Sequence, residues 1–242
     1  MHKWVLAVVA FAAFCLPGLV PAASKKKSAD LLLVLAMDSS SSINADRYKL
    51  QIEGYAAALS DPEVVKLLTM RKGTGLIVFE WSNLQTVIIS CLHITKPQHA
   101  LDAADLIANH TRVQHSTTSV GAAMAFAQTL VDACDITADE VVLDVSGDGH
   151  DNSSPDDSKP AQVRDRLVDA GWRINSLPIE AYARIGGADS PTLLEWYRDN
   201  VNGGNGNFSM PVENFDQFAK QLRRKLIMEI SQARFNTYAE NQ

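Results

Sequence analysis

Seven apolar residues run unbroken over 31–37, LLLVLAM, and stop at Asp38, which four serines follow, Ser39, Ser40, Ser41 and Ser42. An apolar run of this length fits a strand buried on both faces of a parallel sheet. Similar runs recur at 75–81 (GLIVFEW), 140–145 (EVVLDV) and 172–178 (WRINSLP). Between them the period changes. Tyr48, Ile52, Tyr55, Ala56 and Leu59 repeat at helical spacing over 45–59, with Asn44 as cap, and Asp61-Pro62 separates a further turn or two at 63–68. Pro97 opens a helix through 109 with Leu101, Ala104 and Ile107 on one face. More helices are predicted at 119–133, at 161–170 with Gly171 as terminator, and at 190–200 with Ser190 as cap and Pro191 in the first turn. After the turn cluster NGGNGN comes a short strand, 208–210. A last helix at 213–234 carries the stripe Phe215, Phe218, Leu222, Leu226 and Ile230.

Residues 85–90 form one more strand, separated from 75–81 only by residues 82–84. So short a link admits no crossover helix, so these two strands pair as an antiparallel hairpin at one edge. Elsewhere strands alternate with helices. The expected fold is α/β: a doubly wound, Rossmann-like, mostly parallel sheet with one antiparallel edge strand and helices on both faces. No GxGxxG phosphate fingerprint follows the first strand, where serines stand instead, which disfavours a nucleotide site.

Residues 1–22 read as a secretory signal: His2 and Lys3 before an apolar core, a Pro17-Gly18 break, and small residues for a cut near Ala22/Ala23. The core is shorter than the ~20 residues of a membrane span, and Phe14 before Cys15 is too bulky for a lipoprotein site. The reading is 1–22 signal, 23–29 disordered leader, 30–235 a single domain and 236–242 a tail, in a secreted or periplasmic protein with no membrane span in the mature chain. Net charge is −6 for the whole chain and one lower once Lys3 is removed, with no basic stripe, so nucleic acid is not an expected partner. Cys91 and Cys134 remain after cleavage; spacing alone leaves open a disulfide or two separate buried thiols.

Three stretches carry oxygen donors where loops leave strands or enter helices: residues 38–42, residues 115–118, and residues 146–149, SGDG. In a doubly wound sheet the first and third can meet at the carboxyl ends of the strands where the strand order reverses. Asp38, Ser40 and Ser42 alternate, so they can turn one set of oxygens to a common point, as a hard divalent cation requires.

Asp38-x-Ser40-x-Ser42, then Thr118-Ser-Val-Gly121, then Asp148-Gly149, resembles the metal-ion-dependent adhesion site of von Willebrand factor A-type domains. The stretches EGYAAALSDPEV (53–64), LDVSGDG (143–149), INSLPI (174–179) and LLEWYRDNV (193–201) resemble a bacterial family of secreted A-type-domain proteins of unknown function. That resemblance implies one Mg2+ (or Mn2+) held by Asp38, Ser40, Ser42, Thr118 and Asp148, with the serine hydroxyls bound directly and the aspartates acting through water. It also implies a protein partner that supplies an Asp or Glu carboxylate to the open position, and no catalytic residues. Ser41 stands where many such domains have glycine, and Ser116 and Thr117 precede Thr118, which leaves Thr117 as an alternative ligand.

Two other readings stay open at this level. One is a metal-dependent hydrolase, phosphatase-like, although no histidine or lysine base is evident beside the three stretches. The other is a structural domain in which residues 39–42 merely cap the next helix and Asp38 pairs with a backbone amide. His150, Asp151 and Asn152 read as a solvated loop, with contact to a partner, or a second cation site shared with Asp156 and Asp157, as the alternatives. His93, His99, His110 and His115 lack ligand spacing; Trp81, Trp172 and Trp196 read as core; Asp144, an acid inside a strand, has no assigned partner.

Overall fold

The computed structural model describes residues 26–113 and 115–240, so the signal read at 1–22 lies outside the described residues. The elements are β1 (Lys27–Asp38), α1 (Ala45–Ser60), α2 (Pro62–Leu68), β2 (Thr74–Trp81), β3 (Gln85–Ile94), α3 (Pro97–Ala108), α4 (Val120–Ala133), β4 (Ile136–Gly147), α5 (Pro160–Asp169), β5 (Arg173–Pro178), α6 (Leu193–Asn200) and α7 (Phe218–Glu240). The strands form one sheet in the order β3-β2-β1-β4-β5, with β1 at its centre. β1 pairs in parallel with both β2 and β4, β4 with β5 likewise, and only the β2–β3 hairpin is antiparallel.

The unbroken apolar run of β1 is explained by its two faces. Leu31, Leu33, Leu35 and Met37 belong to one core, shared with residues of α1, α2, α3 and α7. Leu32, Val34 and Ala36 belong to the other, shared with residues of α4, α5 and α6. A central strand covered on both sides has no solvated face on which a polar residue would be tolerated. The strand order reverses between the parallel strands β1 and β4, so their carboxyl ends bound a crevice into which the first and third loops open.

Several boundaries differ from the sequence reading. β1 begins at Lys27, inside the stretch read as leader, because Lys27, Ser28 and Ala29 pair with Ile136, Thr137 and Ala138 of β4. β3 continues to Ile94, four residues past the expected end. α6 starts at Leu193, capped not by Ser190 but by Thr192, whose hydroxyl and Glu195 form a reciprocal capping box. Residues 208–210 make no strand: Ser209 meets Ser176 of β5 at a single bridge, although Ser176 N–H donates to Phe208 O and Met210 N–H to Ser176 O. The last helix opens with a tighter turn, Phe215–Gln217, and runs to Glu240, into the stretch read as tail.

Cys91 and Cys134 are joined in a disulfide, Cα–Cα 5.5 Å, tying edge strand β3 to the end of α4. Asp144 finds its partners on α7: Lys225 Nζ lies 2.6 Å from its Oδ1 and 2.5 Å from Glu229 Oε1, all three side chains fully buried. Trp81 and Trp172 are core residues, while Trp196 is half-buried.

Candidate metal centre

β1 delivers Asp38 to the crevice at full burial. The chain then turns, fixed by Ser39, whose N–H and Oγ both donate to Trp81 O at the end of β2, at 2.7 and 3.0 Å. Ser40 N–H donates to Asp38 Oδ1 at 2.7 Å. The turn points the alternate hydroxyls together, with Ser40 Oγ 3.0 Å from Ser42 Oγ. The four serines do not cap α1. Asn44 does so, its side chain accepting from Arg47 N–H at 2.9 Å. Ser41 is not among the non-glycine residues with positive φ, so the position where many related sites have glycine makes no demand for one here.

β4 delivers the second acid. Asp148 N–H donates to Asp38 Oδ2 at 3.3 Å, and Asp148 Oδ1 accepts from Ser42 Oγ at 2.5 Å. Gly147 permits this approach: a Cβ there would lie 2.8 Å from Asp38 Oδ2 and 2.4 Å from Tyr197 Oη. The third stretch comes from the other side. Thr118 lies against the turn after Asp148, with Oγ1 3.5 Å from where a Cβ on Gly149 would stand. It is buried, whereas Thr117 is exposed. Asn152 fixes it from both ends: Thr118 N–H donates to Asn152 Oδ1 at 3.0 Å, and Asn152 N–H donates to Thr118 O at 2.9 Å. Asp38, Ser40, Ser42, Thr118 and Asp148 are therefore brought to one crevice, from three stretches spanning 110 positions of sequence.

The two acids face each other in a dry place. Burial, and then the Asp148 charge, push the Asp38 carboxyl up to about 7 from its ordinary 3.8. Asp148, its side chain 2 % exposed, is also raised by burial, against the hydrogen bond from Ser42 and the charge of Arg47. Arg47 stands at the rim, Nη1 3.7 Å from Asp148 Oδ2, but its short ion pair is to Glu180, at 2.7 Å. Tyr197 closes the floor, its phenol kept protonated first by burial and then by the nearby Asp38 charge. Every converging donor is oxygen: two carboxylates and three hydroxyls. This suits Mg2+ or Mn2+ and not a soft ion, and the two negative charges that disfavour each other are what a divalent cation offsets.

Among the described residues, His150, Asp151, Asp156 and Asp157 do not bring three ligand atoms together. Asp151 accepts from Gly121 N–H and Ser154 N–H, each at 3.1 Å, and so braces the start of α4, while Asp156 is fully exposed beside Lys159. Among the described residues the one group of three converging His, Cys, Asp or Glu ligand atoms is Cys91, Cys134 and Asp135, whose sulfurs are bonded to each other. Sequence reasoning missed Arg47, Glu180 and Tyr197, and it placed Asn152 only in a solvated loop, whereas it holds Thr118. Glu180 was within reach of it, since it follows the carboxyl end of β5, where ligand-facing residues collect. Its φ of +56° marks it further, but only in the structure.

A family model described as "Protein of unknown function (DUF1194)" matches residues 28–234. Comparison with curated proteins returns no match. Among solved structures, proximal thread matrix protein 1 from the mussel byssus, in a form with a zinc-occupied MIDAS motif, is similar at TM-score 0.57 and 16 % identity, covering 85 % of this chain and 47 % of that one. A von Willebrand factor type A protein from Catenulispora acidiphila matches at TM-score 0.57 and 16 % identity, over 82 % of this chain and 42 % of its own. This chain thus spans less than half of either. The vWF domain of the type V pili tip protein Mfa5 from Porphyromonas gingivalis matches at TM-score 0.54 and 8 % identity, over 83 % and 95 %. At such identities the likeness establishes the fold, that of an A-type domain.

Proposed function

Because this chain belongs to the DUF1194 family, defined by sequence and not by an activity, its role rests on its own residues, and we propose that it docks a protein partner through a divalent cation. The cation, Mg2+ (or Mn2+), is held by Asp38, Ser40, Ser42, Thr118 and Asp148. One observation carries this reading: a chain of hydrogen bonds links Ser40 Oγ to Ser42 Oγ and Ser42 Oγ to the Asp148 carboxylate, and the Asp148 N–H donates to the buried Asp38 carboxylate, at the carboxyl ends of β1 and β4. Asn44 caps α1, so the serines are not needed for that task.

The cation supplies a positive charge that a mostly neutral hydroxyl shell leaves under-compensated, so a carboxylate from outside is favoured at its open position. The chain's residues do the rest. Ser40 N–H orients the Asp38 carboxylate, Asn152 orients Thr118, and Tyr197 and Trp81 keep water from the floor. The proposed setting is secreted or periplasmic. The signal-like stretch 1–22 supports this, as does the disulfide, a bond that persists in oxidising compartments. No helix among the described residues is long and apolar enough to cross a membrane.

Titration calorimetry with Mg2+ and Mn2+ tests the site. The parent chain takes up one ion and Asp38→Ala none; equal uptake by both sinks the assignment. A pull-down from the periplasmic or secreted fraction, with and without chelator, then tests whether a partner is held only when metal is present.

A further inference from the structure

The first metal loop is gripped from behind by a residue far away in sequence. Arg112 Nη1 donates to Ile43 O at 2.7 Å, and Nη2 donates to Ser40 O at 2.6 Å and to Ser39 O. Ser39, Ser40 and Ile43 are buried, so these three carbonyls have little water to turn to. The guanidinium is held in turn. It lies over the Tyr48 ring, 5.0 Å from the centroid. Tyr48 Oη donates to Glu80 Oε2 at 2.6 Å, and Glu80 Oε1 accepts from Val113 N–H at 2.9 Å, one residue past Arg112. The segment bearing Arg112 also bonds the loop directly, Ser41 N–H to Ser116 O at 2.8 Å, and it ends in Thr118.

Resting on the metal-site reading above, we infer that Arg112 is the positioning residue of the metal loop. It fixes three backbone carbonyls on a guanidinium, so that the loop presents the Asp38 carboxylate and the Ser40 and Ser42 hydroxyls to the cation. The fork geometry matters, because a planar guanidinium spreads its donors over two separate nitrogens, Nη1 on Ile43 O and Nη2 on Ser39 O and Ser40 O, whereas an ammonium offers its donors from a single point. The charge matters too. A fixed cation behind the loop adds to the positive character of a metal held mainly by neutral hydroxyls, and both favour a carboxylate from outside.

Mn2+ binding by calorimetry, with the Mn2+ paramagnetic resonance spectrum of each complex, separates the possibilities. The chains to compare are the parent, Asp38→Ala, Arg112→Lys and Arg112→Met, each checked for cooperative thermal unfolding in chelator. Outer-shell partners of metal ligands are typically worth about 10–100-fold in affinity. Arg112→Met is expected to weaken Mn2+ by that amount and to broaden the resonance lines. Arg112→Lys, which restores charge but reaches fewer carbonyls, is expected to fall between it and the parent. If Arg112→Met does not fold, Arg112→Lys decides alone. Parent-like affinity and line shape in whichever variants fold overturn the assignment while leaving the site standing. A parent chain that takes up no Mn2+, like Asp38→Ala, overturns both.

Discussion

Replacing Asp38 by asparagine should make the metal-free protein more stable while abolishing metal uptake. The Asp38 carboxyl is held at about 7 by burial and by Asp148. At pH 8 its ionised form therefore costs the native chain about 4 kcal/mol relative to the unfolded one. Asparagine removes that cost. It keeps one acceptor, enough for Ser40 N–H at 2.7 Å, but turns an amide donor toward Asp148 N–H, which now donates to Oδ2 at 3.3 Å. Losing that bond costs about 1–2 kcal/mol. The net gain is about 2–3 kcal/mol, or about 5–10 °C in Tm for a domain of this size.

Thermal unfolding in chelator at pH 8 reads this directly. With Mg2+ at one hundred times its Kd the order closes or reverses, because the parent gains about 2.7 kcal/mol from binding and the variant nothing. A residue kept for folding would behave oppositely. If Asp38→Asn unfolds below the parent in chelator, and Mg2+ raises both by the same amount, Asp38 is a structural cap and the metal reading fails.

Four further outcomes follow from the same geometry. In chelator the parent should lose stability as pH rises from about 4 to about 7, because native Asp38 holds a proton there that the unfolded chain has released; denaturant unfolding at stepped pH should show this slope, reduced in Asp38→Asn. Gly147→Ala places a methyl 2.4 Å from Tyr197 Oη and 2.8 Å from Asp38 Oδ2; it should cost about 1–3 kcal/mol by overpacking and weaken Mn2+ more than tenfold, while a parent-like Kd would show that the acids need not approach so closely. Cys91→Ser with Cys134→Ser opens a loop whose ends are 43 residues apart; stability should fall by about 4 kcal/mol with the Mn2+ Kd unchanged, since the disulfide lies beside Asp135 and Lys27, at the end of β1 away from Asp38. Lys225→Met leaves Asp144 and Glu229 buried together without their shared cation and should cost about 3–5 kcal/mol in chemical denaturation.

How much was legible in the sequence depended on range. β1 could be read because seven apolar residues with no polar break admit few alternatives, and the hairpin because three residues cannot cross a sheet. Asp38, Ser40 and Ser42 could be read because alternation is local. Segments whose conformation depends on distant contacts were harder. Lys27 to Ala29 are polar and small, yet become strand because β4 offers them partners. Residues 208–210 look like a strand but meet β5 at a single bridge, Ser209 with Ser176. Ser190-Pro191 is a good cap pair locally, but Thr192 prevails because Glu195 stands three residues on to complete the box. Arg112 was illegible because its partners are carbonyls roughly seventy positions away, and a carbonyl leaves no trace in a sequence.

The protein handles buried acids in two ways, and the contrast supports the metal reading better than either case alone. β4 carries both Asp144 and, four residues later, the turn with Asp148. Asp144, deep in the strand, shares its burial with Glu229, and α7 sends Lys225 between them at 2.6 and 2.5 Å. Asp148 shares its burial with Asp38, and among the described residues no lysine or arginine is placed between those two. The nearest cation, Arg47, stays 3.7 Å from Asp148 and makes its short pair with Glu180 instead. Two facing acids without a shared cationic side chain are a standing cost to the fold. A folding-only role would favour an amide or an apolar residue at one of the two positions. On the proposed reading the same acids, paired with hydroxyls at the open ends of the strands, take their compensating charge from a cation in solution, and that is the arrangement the Asp38→Asn measurement puts at risk.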